Sequence, residues 1–136
     1  MEEQVKLYLD SSVFLAQLLR EGNLQSWNDL EGKRYTSELT ELECRRTLDR
    51  IRLLEQLEDD EIAERLNELE LILQSTHVIA LNGAVLKRAK ASYPTIVRSL
   101  DALHLASAEL SNTSLFLTLD KQQATAAKAI GLKVKS

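Results

Sequence analysis

Ser114-Leu-Phe-Leu-Thr-Leu-Asp-Lys-Gln-Gln-Ala-Thr-Ala-Ala-Lys-Ala-Ile-Gly-Leu-Lys-Val134 is the stretch that decides the fold. Ser114 to Thr118 is an apolar run of strand character, and Asp120 opens a helix that continues to Ile130. Gly131 stops that helix, and Leu132 to Val134 returns to strand. Strand, helix and strand in this order imply a right-handed crossover and a parallel pairing, with the helix on one face of the sheet.

Working outward, the alternation repeats. Val5-Lys-Leu-Tyr-Leu9 reads as a strand, Asp10-Ser-Ser12 breaks it with N-cap chemistry, and Val13-Phe-Leu-Ala16 opens a helix ended by Gly22. A short helix is expected from Asn23 or Gln25 to Leu30, with Trp27 as a packing residue. Lys33 to Thr36 is a weaker strand, and Ser37 caps a long helix from about Glu38 to Leu54, striped by Cys44, Leu48 and Ile51. Glu58 to Glu61 places acids in the first turn of the next helix, whose seam is Ile62, Leu66, Leu69 and Leu73, and the two helices should form an antiparallel hairpin. His77 to Leu81 returns to strand, Asn82 caps a helix through about Ala91, and Tyr93-Pro94 breaks it. A last helix, from Leu100 to about Leu110, should turn Leu100, Leu103, Ala106 and Leu110 toward a core. The expectation is one α/β domain over residues 1–136, a three-layer α/β/α arrangement around a mostly parallel sheet.

Composition narrows the function. With 44% hydrophobic residues, four Gly and one Pro, the chain has no linker-like or low-complexity segment. Its charged N-terminus and the lack of a long apolar run predict a soluble, cytoplasmic protein without membrane attachment. Cys44 is the single cysteine, which excludes an intramolecular disulfide and a thiolate metal cluster. A net charge of −4 argues at first against a nucleic-acid partner. The segment from Glu55 to Glu70, however, holds eight acids and one base, so the rest of the chain carries 16 bases against 13 acids.

Four acids then stand out. Asp10 and Asp120 lie just past the carboxyl ends of predicted parallel strands, the edge at which open α/β sheets bind ligands. Asp101 starts an otherwise apolar helix, and Glu43 shares a polar helix face with Thr40, Arg46, Thr47 and Arg50. Taken singly, Asp10, Asp101 and Asp120 suit helix caps or first-turn anions, and Glu43 suits an exposed ion pair. Gathered at one edge, they repel one another unless cations enter, and hard oxygen donors select Mg²⁺ or Mn²⁺. His77 and His104 have too few partners for a zinc site.

Leu7-Tyr-Leu-Asp-Ser-Ser12, Thr36-Ser-Glu-Leu-Thr-Glu-Leu-Glu43, Ser99-Leu-Asp-Ala-Leu-His-Leu-Ala106, and Phe116-Leu-Thr-Leu-Asp120 followed by Ala126-Ala-Lys-Ala-Ile-Gly131 resemble the four motifs of PIN-domain ribonucleases. Within that family the chain is most similar to VapC-type toxins of toxin–antitoxin pairs. The resemblance covers essentially the whole chain, in the family's order. It implies a Mg²⁺-dependent endoribonuclease whose metal-holding acids are Asp10, Glu43, Asp101 and Asp120, with Ser12 and Thr118 lining or bracing the pocket. Glu43 fits the family's spacing better than Glu41, and on a helix the two point about 200° apart. It further implies an RNA substrate, a cognate antitoxin and a homodimer. Arg45, Arg46, Arg50, Arg98 and Lys121 are candidates for gripping RNA phosphates, and His104 is read as a packed structural residue. Two other readings exist: a noncatalytic binding module of the same fold, and a receiver-like phosphoacceptor domain. The second wants a lysine at the end of a late strand, where this chain has Thr118-Leu-Asp120.

Overall fold

Leu7 and Tyr8 are adjacent in a strand and therefore face opposite sides of the sheet, yet both are buried. A strand buried on both faces needs helices above and below it. The computed structural model, which describes residues 5–21 and 28–135, has that arrangement. Strands β1 (Lys6–Leu9), β2 (Lys33–Ser37), β3 (His77–Ile79), β4 (Leu115–Leu117) and β5 (Val134–Lys135) form one sheet in the order β3-β2-β1-β4-β5, with every neighbouring pair parallel. Helices α1 (Ser11–Leu18), α2 (Glu38–Leu53), α3 (Asp59–Gln74), α4 (Gly83–Lys90), α5 (Ser99–Leu110) and α6 (Lys121–Ala129) complete the described residues.

On one face Leu7 and Leu117 meet Val13 of α1. On the other, Tyr8 and Phe116 stack and meet Leu105 and Ala108 of α5 and Ala126 and Ala127 of α6. A second core joins Phe14 and Leu18 of α1 to Cys44 and Leu48 of α2 and to Ile62 and Leu69 of α3. The two helices α2 and α3 are joined by the short 54–58 connection and pack on each other, with mid-helix Arg45 paired to Glu70, so they form the expected antiparallel hairpin. The sheet is built outward from β1 in both directions, β2 and β3 to one side, β4 and β5 to the other. The crevice past the carboxyl ends of β1 and β4 is therefore the topological switch point.

The structure corrects several expectations. Helix α1 ends at Leu18, before Gly22, because Arg20 takes the left-handed turn with φ 55°. Gly22 and Trp27 lie outside the described residues. In α5 only Ala106 of the expected stripe is fully buried: Leu100 and Leu110 are half exposed, and Ala102, His104, Leu105, Ser107 and Ala108 are buried beside Ala106. Small side chains let this helix sit close to the sheet, and the two polar ones are satisfied, His104 by side chains and Ser107 by the carbonyl of Leu103. Strand β3 stops at Ile79, short of Leu81, whose N–H donates instead to Glu38 Oε1 at 2.7 Å.

Gly32 sets the start of β2 against β1. Its φ is +145°, and a Cβ there would stand 2.7 Å from the carbonyl oxygen of Val5, which accepts the N–H of Lys33. Gly32→Ala is expected to cost roughly 1–3 kcal/mol through backbone strain and the displaced ladder. A urea melt reads this as a lower midpoint with an unchanged slope.

Candidate active site

Asp10 follows β1 directly, and its N–H donates to the carbonyl of Leu117, the last residue of β4. The residue is 4% exposed, and its carboxylate caps α1 by accepting the N–H of Ser12. Two hydroxyls complete it: Ser12 Oγ donates to Oδ1 and Thr118 Oγ1 to Oδ2, each at 2.5 Å. Those hydroxyls are fixed in turn, since Leu119 N–H donates to Ser12 Oγ at 2.9 Å and Asp120 N–H to Thr118 Oγ1 at 3.0 Å. A backbone N–H can only donate, so each hydroxyl accepts from the chain after β4 and directs its one proton at Asp10. Burial pushes the Asp10 carboxyl above its ordinary value, against the opposing hydrogen bonds of Ser12 and Thr118.

Asp120 caps α6, its Oδ1 accepting from the N–H of Gln122 at 2.8 Å and of Gln123 at 3.1 Å. A capping box would return the Gln123 side chain to the Asp120 N–H. Here that N–H is held by Thr118, and Gln123 Nε2 donates across to the backbone carbonyl of Asp101 at 3.1 Å. Asp101 lies in the first turn of α5, after Arg98 at the N-cap. Arg98 Nε–H donates to Asp101 Oδ2 at 3.0 Å and Arg98 Nη2–H to Asp120 Oδ2 at 3.3 Å, so one guanidinium holds both acids. The two carboxylates, Asp101 foremost, raise the pKa of Arg98.

Glu43 reaches the same region from α2. Its Oε1 is 2.7 Å from His104 Nε2, and His104 Nδ1 is 2.7 Å from the Tyr8 hydroxyl. Tyr8 and His104 are buried, and burial holds the Tyr8 phenol well above its ordinary value, so it keeps its proton. We assign the Tyr8 O–H as donor to Nδ1, which leaves Nε2–H to donate to Glu43. Glu41 faces elsewhere, paired with Arg45 at 2.9 Å. Asp10, Asp101 and Asp120 thus meet at one edge through Thr118, Arg98 and Gln123, while Glu43 is held from α2 by His104, which Tyr8 of β1 anchors.

A family model described as PIN domain matches residues 7–129. The chain belongs to the PIN domain family. Its fold is similar to a toxin–antitoxin complex from Klebsiella pneumoniae (15% identity, 96% of each chain covered, TM-score 0.66). It is also similar to VapBC2 from Rickettsia felis bound to a DNA fragment from their promoter (11% identity, 96% of this chain and 98% of that one, TM-score 0.70). A third similar fold is Mycobacterium tuberculosis VapC20, a sarcin-ricin loop cleaving toxin (12% identity, 88% and 94% covered, TM-score 0.65). No curated protein matches by sequence.

The divalent cation that the PIN family implies can be tested against the donors present. They are oxygens in kind, which suits a hard cation. Gln123 Oε1, on the side chain whose Nε2 donates to the Asp101 carbonyl, is buried without a hydrogen-bond partner. The Arg98 guanidinium already sits as a positive charge between two of the acids. Among the described residues, no three acids or histidines close on one point as a finished ligand set. The residues therefore fit a divalent cation in the chemistry of their donors, and Arg98 pairs with two of the acids that would hold it.

The sequence reading treated His104 as packing and did not identify Gln123 or Tyr8 as part of this edge. The signal was present for His104, which lies one helical step from Asp101 on the same face. Of the candidate phosphate-binding side chains, Arg45 is tied to Glu41 and Glu70, and Arg46 to Asp49. Arg50 and Lys121 have no ion pair among the described residues.

Proposed function

We propose that the chain is a Mg²⁺-dependent endoribonuclease, the toxin of a toxin–antitoxin pair, with Mn²⁺ as a possible substitute ion. The observation that carries this reading is the convergence of Asp10, Asp101 and Asp120 at the switch point, linked by Thr118, Arg98 and Gln123. Membership of the PIN family and the likeness to VapBC structures support it. The likeness to the sarcin-ricin loop cleaving toxin of M. tuberculosis supports RNA as the substrate.

In this reading Asp10, Glu43, Asp101 and Asp120 hold the ion, and Ser12 and Thr118 fix the Asp10 carboxylate. A divalent cation bound there supplies a polarised water and neutralises charge on the scissile phosphate. His104 keeps Glu43 in place from a dry position, and Asp101 and Asp120 extend from the starts of α5 and α6, so none of the four carboxylates depends on a long unsupported side chain. The antitoxin would cover this edge, where Ile96, Leu100 and Leu119 are exposed beside Arg98, Asp101 and Asp120. A homodimer belongs to the same reading.

The ion pairs of Arg98 also suit a noncatalytic binding module, in which the acids serve only as caps and pairs. Incubation with cellular RNA separates the two. The nuclease reading expects cutting in Mg²⁺ that EDTA abolishes and added Mg²⁺ restores. RNA left intact in both Mg²⁺ and Mn²⁺ would favour the binding module.

A further inference from the structure

Arg98 joins two acids that arrive from different parts of the chain. Asp101 is one turn along its own helix, but Asp120 comes from the loop after β4, so the contact is more than an i, i+3 pair. The Arg98 side chain is 66% exposed, and no packing against apolar neighbours is needed to place it there. Its position depends on charge, and exposed ion pairs of this kind are weak and readily exchanged.

We propose that Arg98 is an exchanging cation of the active site. It neutralises Asp101 and Asp120 in the metal-free chain, yields those carboxylates to a divalent ion, and then grips an RNA phosphate beside them. The inference rests on the nuclease reading above. Two cations cannot both occupy the paired Oδ2 atoms without repulsion, so the guanidinium must leave when the ion enters. Its backbone is fixed at the N-cap of α5, so the released group stays within one side-chain length of Asp101. There its donors lack acceptors, and the phosphate brought to the site offers them. The planar fork that bridges two carboxylates suits phosphate oxygens equally well.

The two halves of this exchange give opposite signs in one variant. Arg98→Gln is exposed and should fold as the parent does. By calorimetry it should bind Mg²⁺ about threefold to fivefold more tightly, the size expected for exposed ion pairs that no longer have to be broken. In Mg²⁺ it should bind a 2′-O-methyl oligoribonucleotide more weakly, with the slope of log affinity against log salt reduced by about 1. Unchanged or weaker Mg²⁺ binding, or an unchanged salt slope, would overturn the proposal while leaving the nuclease reading standing. A parent chain that neither binds Mg²⁺ nor cuts RNA would remove both together.

Discussion

Asp10→Asn is expected to lower RNA cleavage by roughly 10³-fold or more, the loss of several kcal/mol of charge stabilisation when a principal ligand goes. The same change should leave the metal-free fold at least as stable as the parent at neutral pH. The Asp10 carboxyl is buried, and its native pKa lies above the unfolded one. Between those two values the native state binds the extra proton, so parental stability falls as pH rises through the interval and stays lowered above it. Asparagine has no charge to bury and escapes that loss. It also fits the hydrogen bonds: Oδ1 still accepts from Ser12, and Nδ2 can donate to Thr118 Oγ1. The Thr118 proton then turns to Ser12 Oγ, 3.4 Å away. Melts at neutral pH and near pH 3, run without metal beside a cleavage assay, give the comparison. The Asn variant should gain on the parent at neutral pH and lose that advantage in acid. A variant that melts early at neutral pH and still cuts RNA would remove Asp10 from the active site.

Asp10 and Asp120 were legible in the sequence because Asp10 directly follows β1 and Asp120 lies a short step past β4, where the chain's direction places each at the sheet edge without help from distant residues. The helix seam of α3 and the hairpin with α2 were legible for a similar reason, since periodicity is local. The orientation of α5 was not. Its alanines, small enough for close approach, carry little hydrophobic signal, whereas Leu100 and Leu110 carry a strong one and remain half exposed. The links between the acids were the least legible part. Tyr8 to His104, His104 to Glu43, Arg98 to Asp120 and Gln123 to Asp101 all join elements far apart in sequence. No spacing rule reports such pairs, and at Gln123, three residues after Asp120, capping-box spacing points to the Asp120 N–H, which Thr118 holds instead.

His104 gives a prediction in which the two conservative replacements part. Its Nε2 serves Glu43 and its Nδ1 serves Tyr8, and an amide can imitate only one of these. Glutamine reaches about as far as Nε2, so His104→Gln keeps a donor for Glu43 and leaves the Tyr8 hydroxyl without its acceptor. Asparagine reaches about as far as Nδ1, so His104→Asn keeps Tyr8 satisfied and releases Glu43. Loss of the acceptor strands the buried Tyr8 hydroxyl and should cost roughly 1–3 kcal/mol of stability, whereas freeing Glu43, whose side chain reaches solvent, should cost less. Activity should separate the pair. The Asn variant is expected to lose about 10–100-fold in Mg²⁺ affinity or cleavage, the range seen when a residue that orients a metal ligand is removed, while the Gln variant stays within a few-fold of the parent. Tyr8→Phe extends the test, because it removes the donor that fixes the imidazole with Nε2–H toward Glu43 and should fall between the two. If Gln and Asn lose activity equally, in step with their melting temperatures, His104 supports the fold alone. If they diverge as expected, His104 is a positioning residue, held by a tyrosine in the central strand and acting through Glu43.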